Sequence, residues 1–87
     1  MPTYLIHRTV GRLSETEIQA AGHRGVDVLT GMSGIRWIRS YYSAEEGKIY
    51  CEYEALNLEL LLDHARRAGL PFDSAAVVRE LDPAMFR

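Results

Sequence analysis

The chain has 87 residues, a net charge of −2 at pH 7 and a hydrophobic fraction of 47%. This length predicts one domain over residues 1–87 with no second core, and the hydrophobic fraction excludes a disordered chain. The small negative charge provides no general attraction to nucleic acid or to an anionic membrane surface. We therefore expect a globular domain that binds neither nucleic acid nor membranes.

The sequence also favours a cytoplasmic location. Its single cysteine, Cys51, excludes an intrachain disulfide and fits a reducing compartment. The first residues lack the basic stretch and apolar run of a signal peptide. No segment approaches the roughly 18 uninterrupted apolar residues that a membrane-spanning helix needs.

The first predicted element is a strand over residues 3–10, where side chains alternate between two faces. The alternation separates two sets of residues: Leu5, His7 and Thr9 on one face, and Tyr4, Ile6 and Arg8 on the other. Polar and charged groups inside a sheet need partners. His7 and Arg8 therefore indicate a functional site near the end of this strand.

A helix follows, starting at Ser14, with Glu17 three residues later in the pattern of a capping box. One face of this helix is apolar and predicts contact with a core: Ile18, Ala21, Gly25, Val28 and Leu29. Gly31 and Gly34 end the helix, and Gly31 is the residue expected to adopt the left-handed cap conformation.

Two further strands are predicted over residues 35–43 and 48–54, joined by a hairpin loop at residues 44–47. Unbroken alternation in the first of these strands predicts a common face for four residues: Ile35, Trp37, Arg39 and Tyr41. Asn57 then caps a second helix, which Gly69 and Pro71 terminate. A last strand is expected over about residues 75–81.

The element order is βαββαβ. Right-handed crossovers between non-adjacent strands are the strong default for such an order. The expected fold class is α+β, a ferredoxin-like sandwich with a four-stranded antiparallel sheet of order 4-1-3-2 and two helices on one face.

Two helices leave the other face of this sheet uncovered. Large apolar or aromatic residues occur at both parities of the strands, namely Trp37, Tyr41 and Tyr53 at one and Ile38, Tyr42 and Tyr50 at the other. Scattered surface aromatics are one explanation. We favour the alternative, a homodimer formed through the open sheet face, because it removes such a patch from water.

The same topology brings potential metal ligands to one end of the sandwich. The end of the first strand carries His7, the third strand carries Cys51 near its start, and the last turn of the second helix carries His64. Imidazole and thiolate suit nickel, zinc and copper. If His7 faces the open side and His64 the helix layer, however, the two residues cannot share one ion.

Each of these three residues also has a structural interpretation. His64 can compensate the negative end of the helix dipole, His7 can hydrogen-bond a neighbour or lie at a dimer interface, and Cys51 can be a small buried apolar residue. No phosphate loop, nucleophile elbow or RNA-binding signature is present.

Several segments together resemble a family of small bacterial ferredoxin-like proteins, long a domain of unknown function, of which a member is described as nickel-binding. The segments span nearly the whole chain: residues 6–10, 35–41, 49–53, 64–71 and 81–83. The resemblance implies a ferredoxin-like fold, a homodimer and nickel binding. The family's first strand typically has an acidic residue before the arginine, whereas this chain has His7 before Arg8.

This departure has two interpretations. If the acidic residue is a metal ligand, His7 replaces it with a softer donor that favours nickel, copper or zinc. If the acidic residue instead pairs with an arginine, the metal site does not carry over to this chain.

Our first hypothesis is therefore a cytoplasmic, homodimeric, non-catalytic metal-binding protein, with nickel as the metal and His7, Cys51 and His64 as ligands. The alternative is a small-molecule-binding protein or small enzyme built like the dimeric ferredoxin-like monooxygenases. A deep pocket between helices and sheet, lined by Tyr50, Trp37 or Tyr53, would support this alternative. An interaction module without a small ligand is a third possibility.

Overall fold

The computed structural model describes residues 1–87 and contains every predicted element. The elements occur in the following order: β1 (Thr3–Thr9), α1 (Glu15–Leu29), β2 (Ile35–Ser43), β3 (Lys48–Ala55), α2 (Leu58–Ala68), β4 (Ser74–Val78) and a short 3-10 helix (Pro83–Phe86). The predicted boundaries agree closely except at β4, which ends three residues earlier than expected. No helix is both long and apolar enough to cross a bilayer.

The four strands form one antiparallel sheet in the order β2-β3-β1-β4. Read from the other edge this is 4-1-3-2, so the predicted ferredoxin-like topology is confirmed. β1 and β3 are the central strands, and β2 and β4 form the edges. Thr3 to His7 of β1 have a paired strand on both sides, whereas Arg8 and Thr9 pair with β3 alone. The alternation of side chains along β1 decides which layer each residue faces.

The hydrophobic core lies between the sheet and α2. It is formed by alternate residues of the two central strands and by one face of α2: Tyr4, Ile6, Cys51, Tyr53, Ala55, Leu61, Ala65 and Ala68. α1 contributes only Gly25 to the buried set, whereas α2 contributes four residues. α1 therefore packs on α2 and leaves space between itself and the sheet.

A β-bulge in β2 corrects the predicted alternation. The pairing with β3 shifts register between Trp37 and Arg39, so Ile38 is an extra residue without a partner. Beyond the bulge the faces are exchanged. The prediction that Ile35, Trp37, Arg39 and Tyr41 share a face is therefore wrong. Instead, Arg39 and Tyr41 lie on the open face.

Side chains at the start of each helix accept hydrogen bonds from backbone N–H groups that have no partner within the helix. At α1, the Ser14 hydroxyl accepts the Glu17 N–H and the Glu17 carboxylate accepts the Ser14 N–H, which confirms the predicted capping box. This contact also lowers the pKa of Glu17. At α2, the Asn57 side chain accepts the Leu60 N–H at 3.1 Å.

The helix ends differ from each other. Gly69 ends α2 in the predicted left-handed conformation with φ 67°. α1 ends at Thr30 in a right-handed conformation with φ −61°, so the left-handed cap predicted at Gly31 is wrong. The positive φ of this loop lies at Gly34, where the chain enters β2 and the Gly34 carbonyl accepts the Leu56 N–H at 2.9 Å.

Two glycine substitutions should change stability in opposite directions. A Cβ at Gly34 would lie 2.6 Å from Leu56 Cδ1 on a backbone with φ +76°, so Gly34→Ala should lower the free energy of unfolding by about 1–2 kcal/mol. A Cβ at Gly22, inside α1, meets nothing within 4 Å, so Gly22→Ala should raise it by about 0.5–1 kcal/mol. Urea denaturation measures both, and equal midpoints for the two variants would contradict this explanation.

Candidate binding site

The structure separates the three predicted metal ligands. His7 lies on the open face, where its ring contacts Tyr50 edge-on at a centroid distance of 4.9 Å. Cys51 and His64 are 4% and 0% exposed and lie on the helix side. His7 is therefore not brought together with Cys51 and His64, and within one chain it cannot share an ion with them.

A nickel site within one chain does not fit the residues present. No group of three or more His, Cys, Asp or Glu side chains is placed to hold one metal ion. On the helix side, Cys51 Sγ accepts a hydrogen bond from Arg8 Nε at 3.4 Å, and this guanidinium repels a cation. That His7, Cys51 and His64 are nickel ligands stays a prediction.

Arg8 is the most unusual residue of the helix side. It follows His7 on β1 and is only 2% exposed. Its Nη1 donates to the Pro71 carbonyl oxygen at 2.7 Å and its Nε to Cys51, whereas the buried Nη2 has no partner. All the ion pairs of the structure involve other residues: Arg36 with Glu54, Arg39 with Glu52, and both Arg66 and Arg67 with Asp63. Arg8 is thus a buried arginine that pairs with no carboxylate of the chain.

His64 connects the two helices. Its Nε2 lies 2.9 Å from the Gly25 carbonyl oxygen. Because a carbonyl only accepts, this nitrogen carries the hydrogen, and the buried Nδ1 is left without a partner. Burial lowers the pKa of His64, and the charge of Arg8 lowers it further, although the bond to Gly25 acts in the opposite direction. The neutral imidazole is therefore favoured. A neutral ring does not compensate the negative end of the α2 dipole, so this structural interpretation of His64 is not supported.

A cavity of about 270 Å³ lies between α1 and the sheet. Its walls are mainly apolar, and Arg8 is the one charged residue among them: Arg8, Ile18, Ala21, Gly22, Gly25, Trp37, Ser40, Tyr42, Ile49, Cys51, Tyr53 and Leu70. A second cavity of about 330 Å³ also borders Arg8, and its lining includes Glu17 and Arg24. Arg8 therefore lies between two cavities beneath α1.

Two aromatic side chains form one wall of the first cavity. The rings of Trp37 and Tyr53 are nearly parallel, with centroids 6.3 Å apart and an angle of 15° between their planes. Burial raises the pKa of Tyr53 to about 12, so its phenol stays neutral. These are the aromatic residues that the small-molecule hypothesis required, although Tyr50, also named there, lies on the open face.

Sequence reasoning missed Ser40 and Tyr42 as cavity residues. Uninterrupted alternation would turn Ser40 away from the side of Trp37, and only the bulge at Ile38 brings it back. The Ser40 hydroxyl accepts the Trp37 indole N–H at 2.8 Å, and the Tyr42 hydroxyl accepts the Leu13 N–H at 2.7 Å. Both hydroxyls keep a hydrogen to donate. Nothing in the local sequence marks this bulge.

The fold defines the protein as a small ferredoxin-like α+β domain, here with an apolar, arginine-bearing cavity under one helix. The crystal structure of SCO4226 from Streptomyces coelicolor A3(2) is similar, with a TM-score of 0.80 and 17% identity over 92% of this chain and 99% of that one. A sequence profile described as "Nickel responsive protein SCO4226-like" matches residues 4–78. The chain belongs to this SCO4226-like family, which confirms the resemblance noted above. No curated protein matches the sequence.

Burial of His64 predicts a loss of stability in mild acid. The pKa of His64 is lowered from 6.5 on folding, so below about pH 6.5 the unfolded chain binds a proton that the folded chain does not. The contribution of neutral His64 to the free energy of unfolding is fully present above about pH 6.5. It is lost as the pH falls, and the total loss is about 1.4 kcal/mol for each unit by which folding lowers the pKa.

Thermal unfolding of the wild type and of His64→Gln between pH 7.5 and 5.5 measures this effect. Glutamine keeps an N–H donor for Gly25 but does not titrate, so the variant should show a flatter pH dependence. His23→Gln, at an exposed position of α1, is the matched control. Parallel curves for the wild type and His64→Gln would contradict the assignment.

Proposed function

We propose that this protein is a cytoplasmic, non-catalytic nickel-binding protein that acts as a homodimer. The observation that carries the proposal is the match of residues 4–78 to the nickel responsive family. Cys51, the one cysteine, is hydrogen-bonded to Arg8 and not to a histidine, so the paired nucleophile and base of a cysteine-dependent enzyme are not formed by hydrogen bonding here.

His7 is the ligand that we assign to nickel. It lies on the sheet face that no helix covers, and imidazole is a preferred nickel donor. No three donor side chains lie close together within one chain, so a complete coordination shell requires further ligands from a second copy or from solvent. A homodimer would be one source of these ligands.

The open sheet face supports the dimer. It carries Leu5 and Tyr50 on the central strands, together with Tyr41, which is 59% exposed. The ion pairs Arg36–Glu54 and Arg39–Glu52 lie on the same face, across β2 and β3. A second copy placed on this face would remove the aromatic groups from water.

Loss of the His7 imidazole should weaken nickel binding by tenfold or more. Untagged wild type, His7→Ala and the control His23→Ala are compared by elemental mass spectrometry and by calorimetric titration with nickel. His23 is exposed on α1, so its removal should leave affinity unchanged. Cys51→Ser and His64→Ala test the two other predicted ligands. Wild-type affinity in His7→Ala would refute its role as a ligand.

A charge at the centre of the open face should dissociate the dimer. Leu5 pairs with Glu52 and Ala76 across the two neighbouring strands, so Leu5→Glu places a carboxylate in the middle of the proposed interface. Sedimentation analysis should give a dimer for the wild type and for Thr16→Glu, an exposed α1 position, but a monomer for Leu5→Glu. A monomeric wild type would refute the dimer.

The cavity favours a second candidate function, small-molecule binding in the manner of the dimeric ferredoxin-like proteins. A filled space between α1 and the sheet would have counted against this candidate. Instead, the aromatic wall of Trp37 and Tyr53 borders a space of about 270 Å³. Such concave, mainly apolar sites with a few polar groups are typical of ligand pockets.

A further inference from the structure

We propose that the cavity beneath α1 binds a small organic acid, whose carboxylate pairs with Arg8 and whose apolar body lies against Trp37 and Tyr53. This inference rests on the small-molecule candidate function and names its ligand class. It is independent of nickel binding, because His7 lies on the other side of the sheet.

The charge of Arg8 is the first line of evidence. Transfer of a cation from water into a protein interior costs several kcal/mol unless an anion compensates it. The partners of Arg8 are the Cys51 sulfur at 3.4 Å and the Pro71 carbonyl oxygen at 2.7 Å, and neither is a carboxylate. The buried Nη2 has no acceptor at all. A guanidinium with a free nitrogen is suited to a carboxylate, whose two oxygens match its geometry.

No acidic side chain of the chain neutralises this charge. The lining of the first cavity contains no aspartate or glutamate. Glu17 borders the second cavity, but its carboxylate is exposed and accepts the Ser14 N–H at 2.9 Å as part of the helix cap. A carboxylate that pairs with Arg8 would therefore come from outside the chain.

The cavity walls indicate the rest of the ligand. Eight of its twelve lining residues are hydrophobic, and the nearly parallel Trp37 and Tyr53 rings favour a flat or compact apolar group. The volume of about 270 Å³ lies just below the roughly 300–1,000 Å³ of ligand pockets for drug-sized molecules. The ligand is consequently a small monocarboxylate.

The small residues of α1 keep this space open. Gly22 and Gly25 face the cavity together with Ala21, and Ile18 is the one long side chain that α1 contributes to its lining. A Cβ built at Gly22 meets nothing within 4 Å, and one at Gly25 meets His64 and Leu70 only at an ordinary 3.9 Å. No close contact therefore requires a glycine at either position. A larger residue at position 22 would therefore extend into the cavity and fill the site.

The experiment compares 3-phenylpropionate with its neutral amide on metal-free protein, by calorimetry and by NMR titration that follows the Trp37 indole signal. The acid should bind and perturb Trp37, and the amide should bind at least tenfold more weakly. Arg8→Gln should weaken acid binding by tenfold or more and remove the preference for the acid. Arg79→Gln, at an exposed position after β4, should bind like the wild type.

Gly22→Leu provides a test that leaves Arg8 in place. This variant fills the cavity and should abolish acid binding, whereas nickel affinity should be unchanged. If Arg8→Gln fails to fold, Gly22→Leu and the comparison of acid with amide still decide the question. Inorganic phosphate should bind more weakly than the acid, because it lacks an apolar body.

The possible failures can be told apart. Equal affinities for acid and amide, or unchanged acid affinity in Arg8→Gln, would overturn the role of Arg8 but leave the small-molecule function standing. Phosphate binding as tight as acid binding would overturn the apolar part of the site. No binding of either phenylpropionate probe would overturn both the inference and the candidate function on which it rests.

Discussion

The positive charge of Arg8 is the constraint on which the helix side of the molecule depends. It lies on a central strand, beneath α1, and its guanidinium is held by Cys51 of β3 and by the Pro71 carbonyl between α2 and β4. One side chain thus connects three parts of the chain. Its partners include no carboxylate, and burial and this charge favour the neutral form of His64 by lowering its pKa. The interior is therefore electrostatically suited to an anion and unsuited to a metal cation.

The sheet divides the molecule into two chemically independent sides. His7 and Arg8 are adjacent on β1, and their side chains point to opposite faces, as those of successive residues do in any strand. The open face bears His7, Tyr50 and a set of charge pairs, and the covered face bears the cavity. For this reason the nickel proposal and the organic-acid proposal concern different surfaces.

The two helices have unequal roles. α2 carries the larger residues and forms the core with the central strands, whereas α1 has small residues on its inner side and is held mainly through α2. The hydrogen bond from His64 to the Gly25 carbonyl and that from Arg24 to the Ala68 carbonyl, at 2.9 Å each, join the helices. A helix supported by its neighbour can stand away from the sheet, and this separation produces the cavity.

The sequence by itself determined the order of elements, the sheet topology and most helix caps, because periodicity and capping depend on residues a few positions apart. It also singled out His7 and Arg8, since polar groups on a central strand are conspicuous. Only the tertiary structure decided their separation, the bulge at Ile38 that turns Ser40 and Tyr42 inward, and the space under α1. These features depend on strand register and on the distance between layers, which arise from contacts between residues far apart in the chain and leave no local pattern.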